Sequence, residues 1–124
     1  MSTSIIIEES LLFLNLEAQS REDVIRQMSD NLLKQGLVYD TFKNAVIERE
    51  KVYATGLPSE NFAVAIPHTD SEHVAQDALS IAILDKPVSF IMMGTADTEL
   101  DVEMVFVLAI KNADNQMMML KSYF

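Results

Sequence analysis

The chain has 124 residues, a length that suits one domain; 49% of them are hydrophobic and 23% are charged. This composition is typical of a folded globular protein and not of a disordered one. No uncharged apolar run approaches the about eighteen residues that a membrane-spanning helix needs, and no basic stretch opens a secretory signal, so we expect a cytoplasmic protein. The absence of cysteine excludes disulfides, thiolate nucleophiles and cysteine-ligated metal sites.

The charge balance excludes a further class of function. The 19 acidic residues outnumber the 9 basic ones, and the net charge is −10. The acidic residues are spread along the whole chain, and no segment forms a cluster of Lys and Arg. Because a phosphate backbone is bound by clustered cations, no nucleic-acid partner is expected. An acidic surface favours association with a basic protein partner.

The first half of the chain predicts one strand followed by two helices. The apolar residues 11–14 indicate a short buried strand. Ser20 is placed to cap a helix, and Gly36 is placed to end it in the left-handed conformation. Asp40 is expected to cap a second helix that runs to about residue 52. Arg49 falls on the apolar stripe of this second helix, so its guanidinium is expected to face the sheet.

The second half is rich in predicted strands. After a loop at residues 55–59, an apolar strand at 62–66 is ended by Pro67, which has no amide hydrogen to donate. Strands at 79–84 and 88–92 are joined by a turn at 85–87, and the very apolar residues 102–110 predict a central strand buried on both faces. A last helix is predicted from Asn112 onward. The order of elements predicts an α/β fold: a single domain with a mixed, mostly parallel sheet flanked by helices.

His68 is the strongest candidate for chemistry because it follows Pro67 at the carboxyl end of a predicted strand, where open α/β sheets place ligands. A neutral imidazole can act as a nucleophile, and attack on a phosphoryl group would give a phosphohistidine. Arg49 could hold the phosphoryl oxygens, and the hydroxyls of Thr69 and Ser71 could donate to them. The alternatives are a structural, hydrogen-bonded His68 and an Arg49 whose head reaches solvent.

A metal site is the other chemistry that these residues suggest. His68, Asp70, Glu72 and His73 are all metal-ligating residue types, but their spacings fit neither one helix face nor one strand face. The His pair with an adjacent Glu that binds zinc on a helix is absent as well. We therefore expect no metal and no cofactor.

Three motifs resemble those of a known family. An Ala-Ile-Pro-His strand end at residues 65–68 comes after an Arg-Glu pair at 49–50 and a Thr-Gly pair at 55–56. Together they resemble the type 2 enzyme IIA domains of the bacterial sugar phosphotransferase system, the fructose–mannitol–galactitol group. The resemblance runs from about residue 11 to the end of the chain, so residues 1–124 are interpreted as one such domain. The residues after His68 and the segment 111–116 are similar to the galactitol type.

The resemblance implies a phosphocarrier with a phosphohistidine intermediate. In that family, the histidine matched by His68 takes a phosphoryl group from the phosphocarrier protein HPr and passes it to a IIB domain, and the arginine matched by Arg49 supports the group. No metal or nucleotide is implied, and the membrane is involved only through a IIC permease. His73 matches a histidine of galactitol-type members, so it is expected to be a supporting residue of the site. Mannitol-type members carry a second active-site histidine where this chain has Asn115 and Gln116, so that supporting role is expected to be either empty or taken by an amide such as Gln116.

Two further expectations follow from the same comparison. Regulatory relatives also keep the Ile-Pro-His element, so a binding module that reports its phosphorylation state to a target protein is the alternative to a carrier in the uptake of a sugar or polyol such as galactitol. The amphipathic pattern that stops at Phe124 is short for the family and predicts exposed apolar residues there. We therefore expect the chain to self-associate.

Overall fold

Residues 8–111, the part of the chain that the computed structural model describes, form five strands and two α-helices. In chain order they are β1 (Leu12–Leu16), α1 (Arg21–Lys34), α2 (Phe42–Val52), β2 (Gly56–Pro58), β3 (Ala63–Ala65), β4 (Ala78–Ile91) and β5 (Glu99–Ala109). Two single turns of 3₁₀ helix, Glu9–Leu11 and Ser71–His73, complete these elements. No helix among these residues is long and apolar enough to cross a membrane.

The five strands make one mixed sheet in the order β1-β4-β5-β3-β2. β1 pairs in parallel with β4, and β3 with β5, whereas β4–β5 and β2–β3 are antiparallel. The predicted α/β class and the central place of the apolar strand β5 are confirmed. Parallel pairs make up only half of the pairings and do not predominate as predicted, because β4 and β5 are consecutive strands that pair antiparallel along most of their length.

The two helices supply one side of the main hydrophobic core. The side chain of Ser20 accepts a 3.1 Å hydrogen bond from the Asp23 amide at the start of α1, and Gly36 has a φ of 77° just after it, as predicted. Helices and sheet contribute fully buried side chains to one cluster: Val24, Ile25, Met28 and Leu32 from α1, Phe42 and Val46 from α2, and Ala82, Phe90, Val105 and Val107 from the two longest strands. This packing fixes the carboxyl end of α2 relative to the sheet.

Two predicted loops and one predicted cap are wrong. The residues 56–58 form β2 because they pair antiparallel with β3, and Pro58 lies at the sheet edge, where its missing donor is tolerated. Residues 85–87 are part of β4 and not a turn. Pro87 is tolerated there because the pairing with β5 is interrupted between Ile83 and Val88, so its missing N–H leaves no ladder bond unmade. Asp40 does not cap α2. The Phe42 amide donates to the Tyr39 carbonyl instead, and no side chain caps the helix.

The predicted helix from Asn112 onward lies outside the described residues. The same holds for Gln116 and for the apolar residues at 117–124 on which the expected self-association depends. These stay predictions.

Candidate active site

The main chain at the end of β3 carries His68 to the carboxyl edge of the sheet. Pro67, the residue before it, accepts a 3.1 Å hydrogen bond from the Leu108 amide of the central strand β5. His68 itself forms an isolated parallel bridge with Leu108. The backbone of this histidine is therefore held against the centre of the sheet, in the place that the sequence predicts.

The ring of His68 has one nitrogen engaged and one available. Nδ1 lies 2.8 Å from the Ile66 carbonyl oxygen, and because a carbonyl only accepts, Nδ1 carries the proton and donates it. In the neutral ring the lone pair is then on Nε2. Burial lowers the pKa of His68 most, the nearby Arg49 charge lowers it further, and the Ile66 carbonyl and Asp70 act in the opposite direction. The net lowering keeps the ring neutral and nucleophilic around neutral pH.

Arg49 reaches the same region from the last turn of α2. Its guanidinium carbon lies 5.1 Å from the centre of the Tyr53 ring, and its Nη1 lies 3.6 Å from a carboxylate oxygen of Asp70. Its Nε is buried and has no hydrogen-bond partner among the described residues. A guanidinium held in this way is suited to bind an anion through its planar set of N–H donors.

His68 and Arg49 line one cavity of about 420 Å³. Its described lining consists of Arg49, His68, Thr69, Asp70, Ser71, Glu72, Ile110 and Lys111. The cavity therefore combines a neutral imidazole, two cationic side chains, two hydroxyls and two carboxylates. The cations and hydroxyls are donors suited to a phosphoryl group next to a nucleophile. A larger cavity of about 600 Å³ lies between α1, α2 and the end of β4, and neither histidine lines it.

The structure brings together some of the predicted site residues and not others. Thr69 lines the cavity with His68 and Arg49. His73 is not among the described lining residues, because its Nδ1 lies 2.8 Å from the Thr41 hydroxyl and its carbonyl accepts from the Tyr39 amide. Gln116 lies outside the described residues. Within residues 8–111, no three His, Asp or Glu side chains are grouped so that they could hold a metal ion.

Three residues near the site were not among the candidates for chemistry in the sequence: Lys111, Glu50 and Thr55. Lys111 adds a second cation to the cavity. Thr55 donates from its amide and its hydroxyl to the two carboxylate oxygens of Glu50, at 2.9 and 2.8 Å, and accepts a 3.1 Å hydrogen bond from the Ile66 amide. The available signal was a Glu on the buried side of a helix directly after Arg49, together with the Thr before Gly56.

The comparison with protein families agrees with this geometry. The family model described as "Phosphoenolpyruvate-dependent sugar phosphotransferase system, EIIA 2" matches residues 5–122. The chain belongs to this family. It is thus an EIIA component of a phosphotransferase system, a phosphotransferase that works through a phosphohistidine intermediate.

Individual relatives cover most of the chain. The galactitol-specific EIIA component of Escherichia coli (strain K12) is 27% identical over 122 residues, which are 98% of this chain and 77% of the relative. The transcriptional regulator ManR of Bacillus subtilis (strain 168) is 34% identical over 107 residues, which are 86% of this chain and 15% of that protein. Among solved structures, the complex of mannitol enzyme IIA and phosphorylated enzyme IIB from Escherichia coli matches with a TM-score of 0.73 at 23% identity, covering 93% of this chain and 78% of the other. This last match shows the shared fold.

Proposed function

We propose that this EIIA domain carries a phosphoryl group on Nε2 of His68, taken from HPr and passed to a IIB domain in the cytoplasm. The observation that supports this most is the hydrogen bond from Nδ1 to the Ile66 carbonyl. It leaves Nε2 as the nitrogen with a lone pair, on a ring that lines a cavity shared with Arg49. The family supplies the chemistry, and this geometry supports Nε2 as the atom that carries the group.

The transfer proceeds as two displacements at phosphorus. Nε2 of His68 attacks the phosphorus carried by HPr, so a nitrogen–phosphorus bond forms while the bond to the donor breaks and the donor keeps the electron pair. The acceptor group of IIB then attacks the same phosphorus, and Nε2 recovers its lone pair. Little covalent work falls to the protein, so positioning and charge stabilisation dominate the rate. Arg49 supplies them by neutralising the phosphoryl oxygens, with Thr69 as a hydroxyl donor.

The acidic composition of the chain bears on the kind of partner face that it attracts. With a net charge of −10, the chain attracts a partner whose docking face is basic, which raises the rate of encounter at low salt. The proposed acceptor is supported by a solved complex of mannitol enzyme IIA with phosphorylated enzyme IIB, because the enzyme IIA in it has the same fold as this chain. The membrane then enters only through the IIC permease that IIB serves.

The substrate class that we propose is a sugar or polyol such as galactitol. It is supported by the galactitol-specific relative that is 27% identical over 98% of this chain. A second candidate function is regulation, in which the phosphorylated domain reports to a target protein. It is favoured by the 34% identity with the transcriptional regulator ManR.

Labelling tests the assignment of the nucleophile. With HPr, enzyme I and radioactive phosphoenolpyruvate, we expect one acid-labile phosphoryl group per chain of the wild-type protein. His68→Ala should take none while keeping its melting temperature, and His73→Ala, which removes the other histidine, should be labelled like the wild type. Undiminished labelling of His68→Ala would refute the assignment.

A chase separates the two candidate roles. The labelled protein is mixed with a purified galactitol IIB domain, and we expect the label to move to IIB within the mixing time. Label that stays on the EIIA domain with this IIB and with the IIB domains of other sugars would favour the regulatory role.

A further inference from the structure

Glu50 is a buried carboxylate that the proposed transfer does not use. Only 7% of the residue is exposed, although it follows the cavity-lining Arg49 directly in α2. It lines the larger cavity instead of the one around His68. Burying a carboxylate costs free energy unless its oxygens are hydrogen-bonded. Both oxygens of Glu50 accept from one residue, Thr55, at 2.9 Å from the amide and 2.8 Å from the hydroxyl.

The hydroxyl of Thr55 has a fixed direction in this arrangement. A hydroxyl has one hydrogen to donate, and that hydrogen is directed at Glu50. Its lone pair accepts the amide hydrogen of Ile66 at 3.1 Å. Thr55 is 3% exposed and Ile66 is 1% exposed, so water does not compete freely for these bonds. The carboxylate on the helix therefore holds the main chain of Ile66 through one side chain.

Ile66 is the residue whose carbonyl selects the tautomer of His68. Its amide is bound by Thr55, and its carbonyl oxygen lies 2.8 Å from His68 Nδ1. The next residue, Pro67, is bound from the other side by the Leu108 amide. The acceptor for the histidine ring is thus fixed between the end of α2 and the central strand.

We propose that Glu50 and Thr55 are positioning residues for phosphoryl transfer: they hold Ile66 so that its carbonyl keeps His68 in the Nδ1–H tautomer, with Nε2 free, opposite Arg49 of the same helix. This inference rests on the proposed function of His68. Neither Glu50 nor Thr55 is among the described residues that line the cavity around the ring, so they act through the main chain of Ile66. Because Arg49 directly precedes Glu50, the hydrogen bonds between Glu50 and Thr55 also set the distance between the guanidinium and the His68 ring.

The test uses variants that differ by one hydroxyl. Thr55→Val keeps the side-chain shape and removes the hydroxyl, whereas Thr55→Ser keeps the hydroxyl. Thr41→Val is the matched control, because it removes a hydroxyl that is bound to His73, the histidine outside the cavity lining. The tautomer of His68 is measured by nitrogen NMR of the ring in the unphosphorylated protein, and the rate of phosphoryl uptake from HPr is measured separately.

We expect Thr55→Val to raise the share of the Nε2–H tautomer and to slow uptake by about tenfold, the effect of one net hydrogen bond. Thr55→Ser should restore the tautomer and most of the rate, and Thr41→Val should change neither. Glu50→Gln, which can accept only one of the two Thr55 hydrogen bonds, should shift the tautomer in the same direction and serves if Thr55→Val does not fold.

An unchanged tautomer in the folded variants would overturn the proposal. It would do so even if uptake slows, because lower stability alone can slow uptake. The tautomer measurement does not depend on phosphoryl transfer. A wild-type protein that took no phosphoryl group would refute the function, while the tautomer shift, measured without HPr, would still decide whether Glu50 and Thr55 position the ring.

Discussion

The chemistry proposed for His68 depends on which ring nitrogen carries the proton, and the answer lies in the main chain two residues before it. The Ile66 carbonyl holds Nδ1, and burial together with Arg49 keeps the ring neutral. The sequence predicted His68, Arg49 and Thr69 correctly as neighbours, because a histidine at a strand end and an arginine on the inner stripe of the preceding helix meet at one sheet edge. His73, the expected supporting residue, lies outside the described lining of the cavity, and its Nδ1 is 2.8 Å from the Thr41 hydroxyl. The sequence did not predict Lys111, which only the end of the central strand brings to the cavity.

The shape of the Arg49 side chain matters as well as its charge. Arg49→Lys keeps a positive charge but loses the planar fork and the stacking on Tyr53, so we expect phosphoryl uptake to slow by about tenfold, one bidentate contact. Arg26→Lys is the matched control, since Arg26 pairs with Asp23 on the surface of α1. Wild-type uptake by Arg49→Lys at an unchanged melting temperature would show that Arg49 does not grip the phosphoryl group.

Helix ends with a clear local signal and apolar strands were predictable, whereas strand segments that contain Gly or Pro were not. The cap at Ser20 and the stop at Gly36 are local, and both were placed correctly. Gly56 and Pro58 favour a loop because Gly and Pro usually mark turns, yet pairing with β3 makes residues 56–58 a strand. Pro87 likewise favours a turn in the sequence, although it lies within β4. Tertiary contacts override local preference at these points.

Gly56 is required at the start of β2 by a close approach of two backbones. A Cβ there would lie 2.6 Å from the Ile91 carbonyl oxygen, so Gly56→Ala must push β2 away from the end of β4. We expect a loss of about 1–3 kcal/mol in the free energy of unfolding, measured with urea. Gly36→Ala is the comparison: no described residue lies within 4 Å of its Cβ, and only the φ of 77° is unfavourable, so the loss should be the about 1–2 kcal/mol of an alanine in the left-handed conformation. If Gly56→Ala were as stable as the wild type, the close contact with Ile91 would be wrong.

At the scale of the whole molecule, the site lies where α2, β3 and β5 meet. The stability of the fold is linked to the proton affinity of the His68 ring. Burial and the Arg49 charge lower the pKa of His68 below its usual value of 6.5. The unfolded chain therefore binds a proton at a higher pH than the folded one. The stability that this difference contributes is present above the unfolded pKa and is lost as the pH falls through the folded pKa.

This linkage predicts a difference between two proteins. As the pH is lowered from about 7 to about 5, the wild type should lose more unfolding free energy than His68→Gln, because the variant has no ring to protonate on unfolding. Urea unfolding at several pH values measures both. Glu50, whose pKa is raised mainly by burial, has the opposite dependence, and it is present in both proteins. Equal slopes for the two proteins would contradict the lowered pKa of His68.

The site of the phosphoryl group is the central claim, and one NMR measurement tests it most directly. The protein is labelled with heavy nitrogen in its histidine rings and phosphorylated through HPr, and the coupling between phosphorus and nitrogen is recorded. We expect a direct coupling to Nε2 of His68, with Nδ1 still protonated and bound to the Ile66 carbonyl. A direct coupling to Nδ1 of His68, or to either nitrogen of His73, would contradict this account.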